Sequence, residues 1–313
     1  MKWSCNCLLM VLVIAFLSAT PAKAGITLTQ SACPVLITQP GEYDLDTDVG
    51  PCSQGVDGID ITASHVTLHL HGHTINGSAA PATCNSSVGI RVSPPPLAPM
   101  LSMVRVLGDG TISNFTIGFY AQNSERSFVK FTTVRAACPA NIFSYGFAIL
   151  GPGSHWKLER NLVREPGISS TGILLERIDG NHVVANDVND TLALWDSGNN
   201  IVVNNIASDN FGGIALLRIT TGSNHNEIHG NTTDNNGADN GLQITLGSTG
   251  NNVTGNTSFG NSPFDMVDNN PNCGTNKWKG NHFGTANQSC IQRQPDSGDD
   301  DQNDDQGDGR KPD

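Results

Sequence analysis

An apolar residue followed three positions later by asparagine recurs through the second half of the chain. The pairs are Leu158/Asn161, Val183/Asn186, Ile201/Asn204, Ile228/Asn231, Val253/Asn256 and Trp278/Asn281. The successive asparagines are separated by 25, 18, 27, 25 and 25 residues. A near-fixed period of this length is typical of a solenoid, in which each repeat stacks on its neighbours.

Short alternating segments separate turns that are rich in asparagine and glycine. After Gly172, Gly213 and Gly241, apolar residues occupy every second position. Period two in Ile, Val, Leu and Thr predicts strands, whereas Asn and Gly favour tight turns. We therefore expect an all-β, single-domain parallel β-solenoid of about ten coils. The recurring asparagines are expected at the turn between the second and third strands of each coil, where stacked side chains can hydrogen-bond one another.

The sequence resembles the right-handed parallel β-helix repeat proteins of the pectin-lyase-like superfamily. The apolar-x-x-Asn and Gly-Ile-x-Leu repeats carry the resemblance, together with an early coil at 64–77 and a closing coil at 270–285. It extends over roughly residues 59–283. The resemblance implies a right-handed β-helix whose first strands present a polysaccharide groove. That superfamily contains lyases, hydrolases, epimerases and non-catalytic binding proteins, so no single activity is implied.

The beginning of the sequence predicts export. Lys2, the apolar run at 8–17 and the small residues before Gly25 form the pattern of a signal peptide over 1–24. We expect a β-helix with terminal caps over 25–291 and a disordered acidic tail over 292–313, because the tail lacks apolar residues to bury. No later stretch approaches ~20 apolar residues, so membrane insertion is not expected. We expect a secreted or periplasmic monomer.

Six cysteines remain after the predicted signal peptide. An even number in an exported chain indicates disulfides, although the sequence leaves their pairing open. We expect each cysteine to pair with its neighbour along the chain, which gives Cys33–Cys52, Cys84–Cys138 and Cys273–Cys290.

The formal net charge is −12. An acidic chain is a poor ligand for nucleic acid or for anionic membranes, so neither is expected as a partner. No motif points to a cofactor.

Outward-facing residues follow from the alternation of the strands. On the first strands, the residues between successive inward pairs form a row: Asp60, Arg91, Tyr120, Ala148, Leu174, Ala193, Ala215, Gln243 and Asp265. Asp60, Arg91 and Tyr120 should lie side by side on adjacent coils, with Arg91 depressing the pKa of Asp60. An arginine or tyrosine there can bind a uronate carboxylate or move a proton, so these three are the candidate catalytic residues. The alternative is a surface ion pair.

The next outward row contains Glu176 and Trp195, which we regard as candidate sugar-binding residues. An exposed Trp can stack on a sugar ring, although a Trp covered by the adjacent loop is an equal alternative. Glu176 and Asp265 should be four coils apart, which is too far for the paired carboxylates of a glycoside hydrolase. A hydrolase would have to use loop residues such as Glu165, Asp196 or Asp209.

The second strands predict a basic row of His69, Arg105, Lys130 and Lys157, and His182 is a candidate to extend it. Cations in register on an acidic protein suit an acidic glycan. The alternative is a solvated sheet face whose charges discourage association.

A cluster of three histidines, His69, His71 and His73, raises the question of a metal site. His69 and His71 share one outward face, but no carboxylate is obviously near, so no metal site is expected. The aspartate and Arg-x-Lys elements of pectin hydrolases, the Asp-Pro-His-Glu element of mannuronan epimerases and the acidic calcium cluster of pectate lyases are missing.

These features favour recognition of a polysaccharide, with an acidic one as an option. Two alternatives stay open. The first is a lyase or epimerase that acts on a uronate-containing glycan, and the second is a non-enzymatic envelope or adhesion scaffold.

Overall fold

The computed structural model describes residues 25–77, 87–135, 144–164, 171–209, 212–217 and 220–294. The predicted signal peptide and nearly all of the predicted acidic tail lie outside these residues, as do Cys84, Cys138 and Glu165. The strands are numbered β1 to β29 in chain order.

The chain winds through three parallel sheets. The first sheet contains β2 (Val35–Ile37), β4 (Ile59–Ile61), β7 (Val88–Val92), β8 (Leu101–Ser102), β11 (Ile117–Glu125), β14 (Tyr145–Ser154), β17 (Thr171–Glu176), β20 (Thr191–Trp195), β22 (Ile214–Leu217), β24 (Leu242–Ile244) and β27 (Met266–Asp268). The second contains β1 (Ile26–Leu28), β3 (Gly41–Leu45), β5 (Val66–His69), β9 (Arg105–Leu107), β12 (Phe128–Lys130), β15 (Lys157–Glu159), β18 (His182–Val184), β21 (Ile201–Val203), β23 (Glu227–His229), β25 (Asn252–Thr254) and β28 (Lys277–Lys279).

The third sheet is shorter and less continuous. It contains β6 (Thr74–Asn76), β10 (Thr111–Ser113), β13 (Thr133–Arg135), β16 (Leu162–Arg164) and β19 (Asp187–Asn189), while β26 (Thr257–Ser258) and β29 (His282–Phe283) pair separately. A short 3-10 helix spans Pro271–Cys273. The fold is therefore the expected right-handed parallel β-helix. Among the described residues, no helix is long and apolar enough to cross a membrane.

The core is a stack of inward side chains from consecutive coils. The ring centroids of Phe119 and Phe147 are 5.7 Å apart, and Trp156 packs edge-on against Phe119 at the same distance. Aliphatic residues continue the stack in both directions, and most of them are fully buried. Because inward and outward residues alternate, this core determines which side chains reach the outer faces.

Two asparagine ladders run along the turns on either side of the second sheet. In the predicted ladder, each Oδ1 accepts hydrogen bonds from the backbone N–H and the side-chain amide of the previous asparagine, as Asn186 does from Asn161 at 2.9 and 3.0 Å. The second ladder was not predicted and comprises Asn181, Asn200, Asn226, Asn251 and Asn276. These bonds confirm a structural role, since they satisfy buried turn groups.

One member of the predicted ladder is wrong. Asn205, rather than Asn204, accepts the hydrogen bonds from Asn186, and Val202, rather than Ile201, lies opposite Val183. Because β21 contains three consecutive apolar residues, the sequence pattern did not distinguish this register from one shifted by a single residue.

The last coil of the first sheet also departs from the prediction. Met266 and Asp268 pair with Leu242 and Ile244, so Val267 rather than Asp265 joins the outward row. The inward Asp268 accepts hydrogen bonds from the indole of Trp278 and the amide of Asn276. A buried acid is not recognisable as an inward residue from hydrophobic alternation, which explains the two-residue error.

Disulfides link Cys33 to Cys52 and Cys273 to Cys290, as predicted. They lie near the two ends of the described β-helix. The third predicted pair, Cys84–Cys138, falls outside the described residues.

Candidate functional site

The structure brings the three candidate catalytic residues together on the outward face of the first sheet. Asp60 in β4 lies directly opposite Arg91 in β7, and Arg91 lies opposite Tyr120 in β11. The inward neighbours of all three are buried, so the core fixes their direction. We call Asp57, Asp60, Arg91, Tyr120 and Gln122 the acid–arginine–tyrosine cluster.

Arg91 is held from three sides. Its Nε donates to Asp57 Oδ2 at 2.6 Å and lies 3.9 Å from Asp60 Oδ1. Its guanidinium carbon lies 5.1 Å from the centre of the Tyr120 ring, a cation–π distance. The Tyr120 hydroxyl in turn donates to Gln122 Oε1 at 2.7 Å. The guanidinium is thereby fixed, since its nearest groups are themselves anchored to the sheet.

Asp57 was not predicted as a site residue. It lies in the loop before β4, where Oδ1 accepts the Val88 N–H at 2.7 Å and Oδ2 accepts the Arg91 bond. A signal was available, because Asp57 lies three residues before Asp60 at the entry to the same strand. Strand alternation does not extend into that loop, so its position relative to Arg91 could not be read from the pattern.

The pKa of Asp60 is raised to about 6. Burial is the largest cause, and the negative charge of Asp57 adds to it, while Arg91 opposes both. Arg91 thus lowers the pKa of Asp60 as expected, but burial and Asp57 outweigh it, so the net shift is opposite to the predicted one. The Oδ1 atom of Asp60 is buried and has no hydrogen-bond partner among the described residues. Burial and the neighbouring carboxylate make the neutral acid easier to form than in an exposed aspartate, while a carboxyl with a pKa of about 6 is still mostly ionised at pH 7.

Tyr120 also has a raised pKa. Burial is the main cause, Arg91 opposes it and the charge of Glu176 contributes to it. Tyr120 therefore stays protonated at neutral pH, which makes its hydroxyl a hydrogen-bond or proton donor rather than a base.

The middle of the outward face is apolar and covered. Ala148, Leu174 and Ala193 follow Tyr120 in the same row, yet they are only 2%, 3% and 2% exposed. Glu176 and Trp195 lie opposite each other at one edge of this strip. The indole Nε1 of Trp195 is buried and has no hydrogen-bond partner within the described ranges. Trp195 thus presents less of its polar edge to solvent than an open stacking platform would.

The predicted basic row is wrong in its register. Arg105 lies opposite Thr67 and Phe128, whereas His69 and Lys130 lie opposite Leu107. Lys157 continues the row of Arg105, and His182 follows it. The four basic residues therefore occupy two rows. A shift of two residues keeps every side chain on its predicted face, so the apolar pattern could not distinguish the two registers.

Part of the positive charge on this sheet is compensated. Lys157 and Lys130 lie 2.6 and 3.2 Å from Glu159, whose pKa is lowered chiefly by its hydrogen bond with Lys157. Phe131 is 46% exposed, and the Lys130 ammonium lies 4.7 Å from the centre of its ring. Nearby is a shallow depression of about 580 Å³, which we call the basic depression. It is lined by Arg105, Leu107, Arg126, Ser127, Phe128, His155 and Lys157.

The histidine cluster has carboxylate neighbours on the preceding coil, contrary to the sequence-based expectation. His69 Nε2 lies 3.0 Å from Glu42 Oε1, and His71 Nε2 lies 2.8 Å from Asp44 Oδ1. His73 Nδ1 lies 3.3 Å from Asp48 Oδ1. The strand that supplies Glu42 and Asp44, β3, precedes the region in which the sequence pattern predicts coils.

No protein-family model matches this sequence, and no curated protein is significantly similar to it. Solved structures share the fold. A mutant of the periplasmic alginate epimerase AlgG is similar with a TM-score of 0.52 at 17% identity, covering 76% of this chain and 64% of that one. The DFA-IIIase from Arthrobacter chlorophenolicus A6 in complex with GF2 is similar with a TM-score of 0.52 at 17% identity, covering 79% and 62%. The chain thus spans less than two thirds of the length of either protein.

Proposed function

We propose that this protein recognises a polysaccharide on the outward face of its first sheet, centred on the acid–arginine–tyrosine cluster. The observation that carries the proposal is the fixed position of Arg91 between Asp57 and the Tyr120 ring. Preorganised groups of this kind bind sugars well, because little side-chain freedom is lost on binding. Carboxylates accept hydrogen bonds from sugar hydroxyls, and the guanidinium donates them.

Among the described residues, the contacts leave part of the Arg91 guanidinium available. Its bond to Asp57 uses Nε, and its approach to Asp60 also involves Nε. The two Nη groups carry the planar pair of donors that suits a carboxylate or two vicinal hydroxyls. A sugar that reaches them also lies beside the Asp60 carboxyl, whose side chain is 22% exposed.

Asp60, Arg91 and Tyr120 lie on three consecutive strands, a span of about 10 Å that suits a short stretch of a glycan chain. The covered residues Ala148, Leu174 and Ala193 separate this cluster from Trp195. The ligand class is further supported by two proteins of the same fold, an alginate epimerase and a DFA-IIIase in complex with GF2.

A lyase or epimerase reaction is the second candidate, and the raised pKa of Asp60 favours it. A carboxyl with a pKa of about 6 exchanges protons readily near neutral pH. In a β-elimination on a uronate, ionised Asp60 would take the proton next to the sugar carboxylate. The electron pair then forms the carbon–carbon double bond as the glycosidic C–O bond breaks. Arg91 would bind the carboxylate, and Tyr120 would donate a proton to the leaving oxygen.

We further propose that the polysaccharide is acidic. The basic depression on the second sheet offers Arg105, Arg126 and Lys157 beside the Phe128 ring. The Lys157 ammonium lies 5.6 Å from the centre of that ring. An aromatic surface ringed by cations suits a sugar that carries carboxylate or sulfate groups. This surface is separate from the acid–arginine–tyrosine cluster, so a long glycan would have to wrap around the coil edge to reach both.

A panel of immobilised neutral and uronate-containing polysaccharides tests the proposal. The purified mature protein is expected to bind at least one of them, and ultraviolet absorbance of unsaturated products then separates a lyase from a binding protein. Epimerisation is detected by the change in uronate composition. An absence of binding across the panel would reject the proposal and favour a scaffold.

A further inference from the structure

Outside the first-sheet site, one cluster has the composition of a metal site. The ligating atoms of Asp44, His69 and His71 all lie within 4.8 Å of one another. Asp44 and His69 are register partners on the adjacent strands β3 and β5. His71 follows two residues later, and its φ of 47° places it in the turn that ends the strand. The rings of His69 and His71 stack with their centroids 5.5 Å apart.

The atoms that converge are those that a metal would use. The Nε2 atoms of His69 and His71 point at carboxylate oxygens rather than at solvent, at 3.0 and 2.8 Å. Two imidazoles and one carboxylate form a donor set that suits Zn²⁺ and its neighbours in the first transition series. Metal–ligand bonds of about 2.0–2.2 Å require these atoms to approach one another further. The exposed side chains of His71 and Asp44 have room to do so, at 55% and 36% exposure.

A fourth ligand is within reach. Glu42 lies two residues before Asp44 on the same outward face of β3, and its Oε1 is the atom already 3.0 Å from His69 Nε2. A metal ion that displaces the proton between His69 and Glu42 would either take Glu42 as its fourth ligand or bind a water molecule in that position. His73 provides a contrast, because it meets a single carboxylate, Asp48, and lies outside the converging group.

We propose that Asp44, His69 and His71 bind a divalent transition metal, with Zn²⁺ as the probe, and that the metal links two consecutive coils near the N-terminal end of the β-helix. The site is independent of the proposed polysaccharide function, because it lies on the second sheet. Its effect is structural: a ligand that binds only the folded chain raises its stability.

Calorimetric titration of chelator-treated, tag-free mature protein with ZnCl₂ tests the proposal. One Zn²⁺ per chain is expected. His71→Ala and Asp44→Asn should each weaken binding at least about tenfold, since loss of a ligand exceeds the effect of loss of an outer-shell partner. The matched control is His73→Ala, which removes a histidine–aspartate pair from the same turn and should leave Zn²⁺ affinity unchanged.

Thermal unfolding of the same proteins gives a second readout. At a Zn²⁺ concentration that just saturates wild type, the midpoint of wild type and His73→Ala should rise equally, and that of His71→Ala should rise less. The proposal is overturned if wild type takes up no Zn²⁺, if His71→Ala and Asp44→Asn bind as tightly as wild type, or if His73→Ala loses binding equally.

Discussion

At the scale of single residues, the buried asparagines show how polar side chains hold a solenoid together. Asn205 is fully buried, and its Oδ1 accepts both the backbone and side-chain N–H groups of Asn186 at 2.9 Å. Its own amide donates to the Val183 carbonyl at 2.8 Å. Each ladder member therefore satisfies groups on other coils that would otherwise be buried without partners.

Asn205→Ala is expected to lower the free energy of unfolding by about 1–3 kcal/mol, because the Asn186 N–H then lacks its partner. Denaturant unfolding measures the change. The control is Asn204→Gly: Asn204 is exposed with a φ of 55°, which glycine adopts without strain. If Asn204→Gly destabilised the protein as much as Asn205→Ala, the ladder assignment would be wrong.

Asp60 gives a prediction for the dependence of stability on pH. Its pKa is about 6 in the folded protein against an ordinary value of 3.8, so between these values the folded state holds more of this proton. The contribution of Asp60 to the free energy of unfolding is therefore most favourable below about pH 4, and it declines as pH rises through 6. Across this window, the free energy of unfolding of wild type should fall by up to about 3 kcal/mol relative to that of Asp60→Asn. Solvent screening of the partly exposed carboxyl reduces this difference.

Denaturant titrations of wild type and Asp60→Asn at several pH values measure this difference. The subtraction removes groups such as Asp48, whose pKa is lowered chiefly by its hydrogen bond from the Thr74 N–H and which acts in the opposite direction. A difference that stays constant from pH 4 to 7 would show that Asp60 titrates normally in the folded protein.

At the scale of strands, hydrophobic alternation predicted the face of the sheet that a side chain occupies. It was less reliable in predicting which residue lies opposite on the next strand. Asp60, Arg91 and Tyr120 were aligned correctly because flanking inward pairs such as Ile90/Val92 are unambiguous. Arg105 and Lys130 were misaligned by two residues, because a two-residue shift leaves the alternation of inward and outward positions unchanged. The true register follows from backbone pairing between coils, which no local pattern encodes.

The corrected register changes which cations should act together. Arg105 and Lys157 flank Phe128 in one row, whereas Lys130 shares Glu159 with Lys157. Arg105→Ala/Lys157→Ala should weaken binding to a uronate polymer roughly three- to tenfold and reduce its salt dependence. Lys277→Ala/Lys279→Ala is the matched control, because it also removes two cations and both lysines lie on β28 of the same sheet, several coils away. Equal losses in both variants, measured by affinity electrophoresis over a salt series, would exclude the basic depression.

At the scale of the whole molecule, the repeat predicted the architecture because a similar apolar and asparagine spacing recurs through the coils of the second half of the chain. The candidate site was predicted only in part. Its strand residues follow from alternation, whereas Asp57 and the carboxylates facing the histidines depend on loops and on earlier coils. The pKa of Asp60 was predicted in the wrong direction, because burial and the charge of Asp57 appear only in three dimensions.

The ends of a solenoid lack a neighbour on one side, so the two terminal disulfides should matter most locally. Cys273→Ser/Cys290→Ser is expected to lower stability by about 2–4 kcal/mol and to speed amide exchange in β28. Amides of β11, far from that end, should keep their protection. Hydrogen exchange resolved by peptide measures both. Uniform loss of protection along the chain would mean that the β-helix unfolds as one unit.

The measurement that tests the central claim most directly is the affinity of wild type, Arg91→Ala and Arg135→Ala for a polysaccharide selected by the binding panel. Arg135 is an exposed arginine on the third sheet and provides the charge-matched control. Recognition centred on the acid–arginine–tyrosine cluster predicts at least a tenfold loss for Arg91→Ala, about 1.4 kcal/mol, and wild-type affinity for Arg135→Ala. Unchanged affinity in a folded Arg91→Ala protein would contradict it.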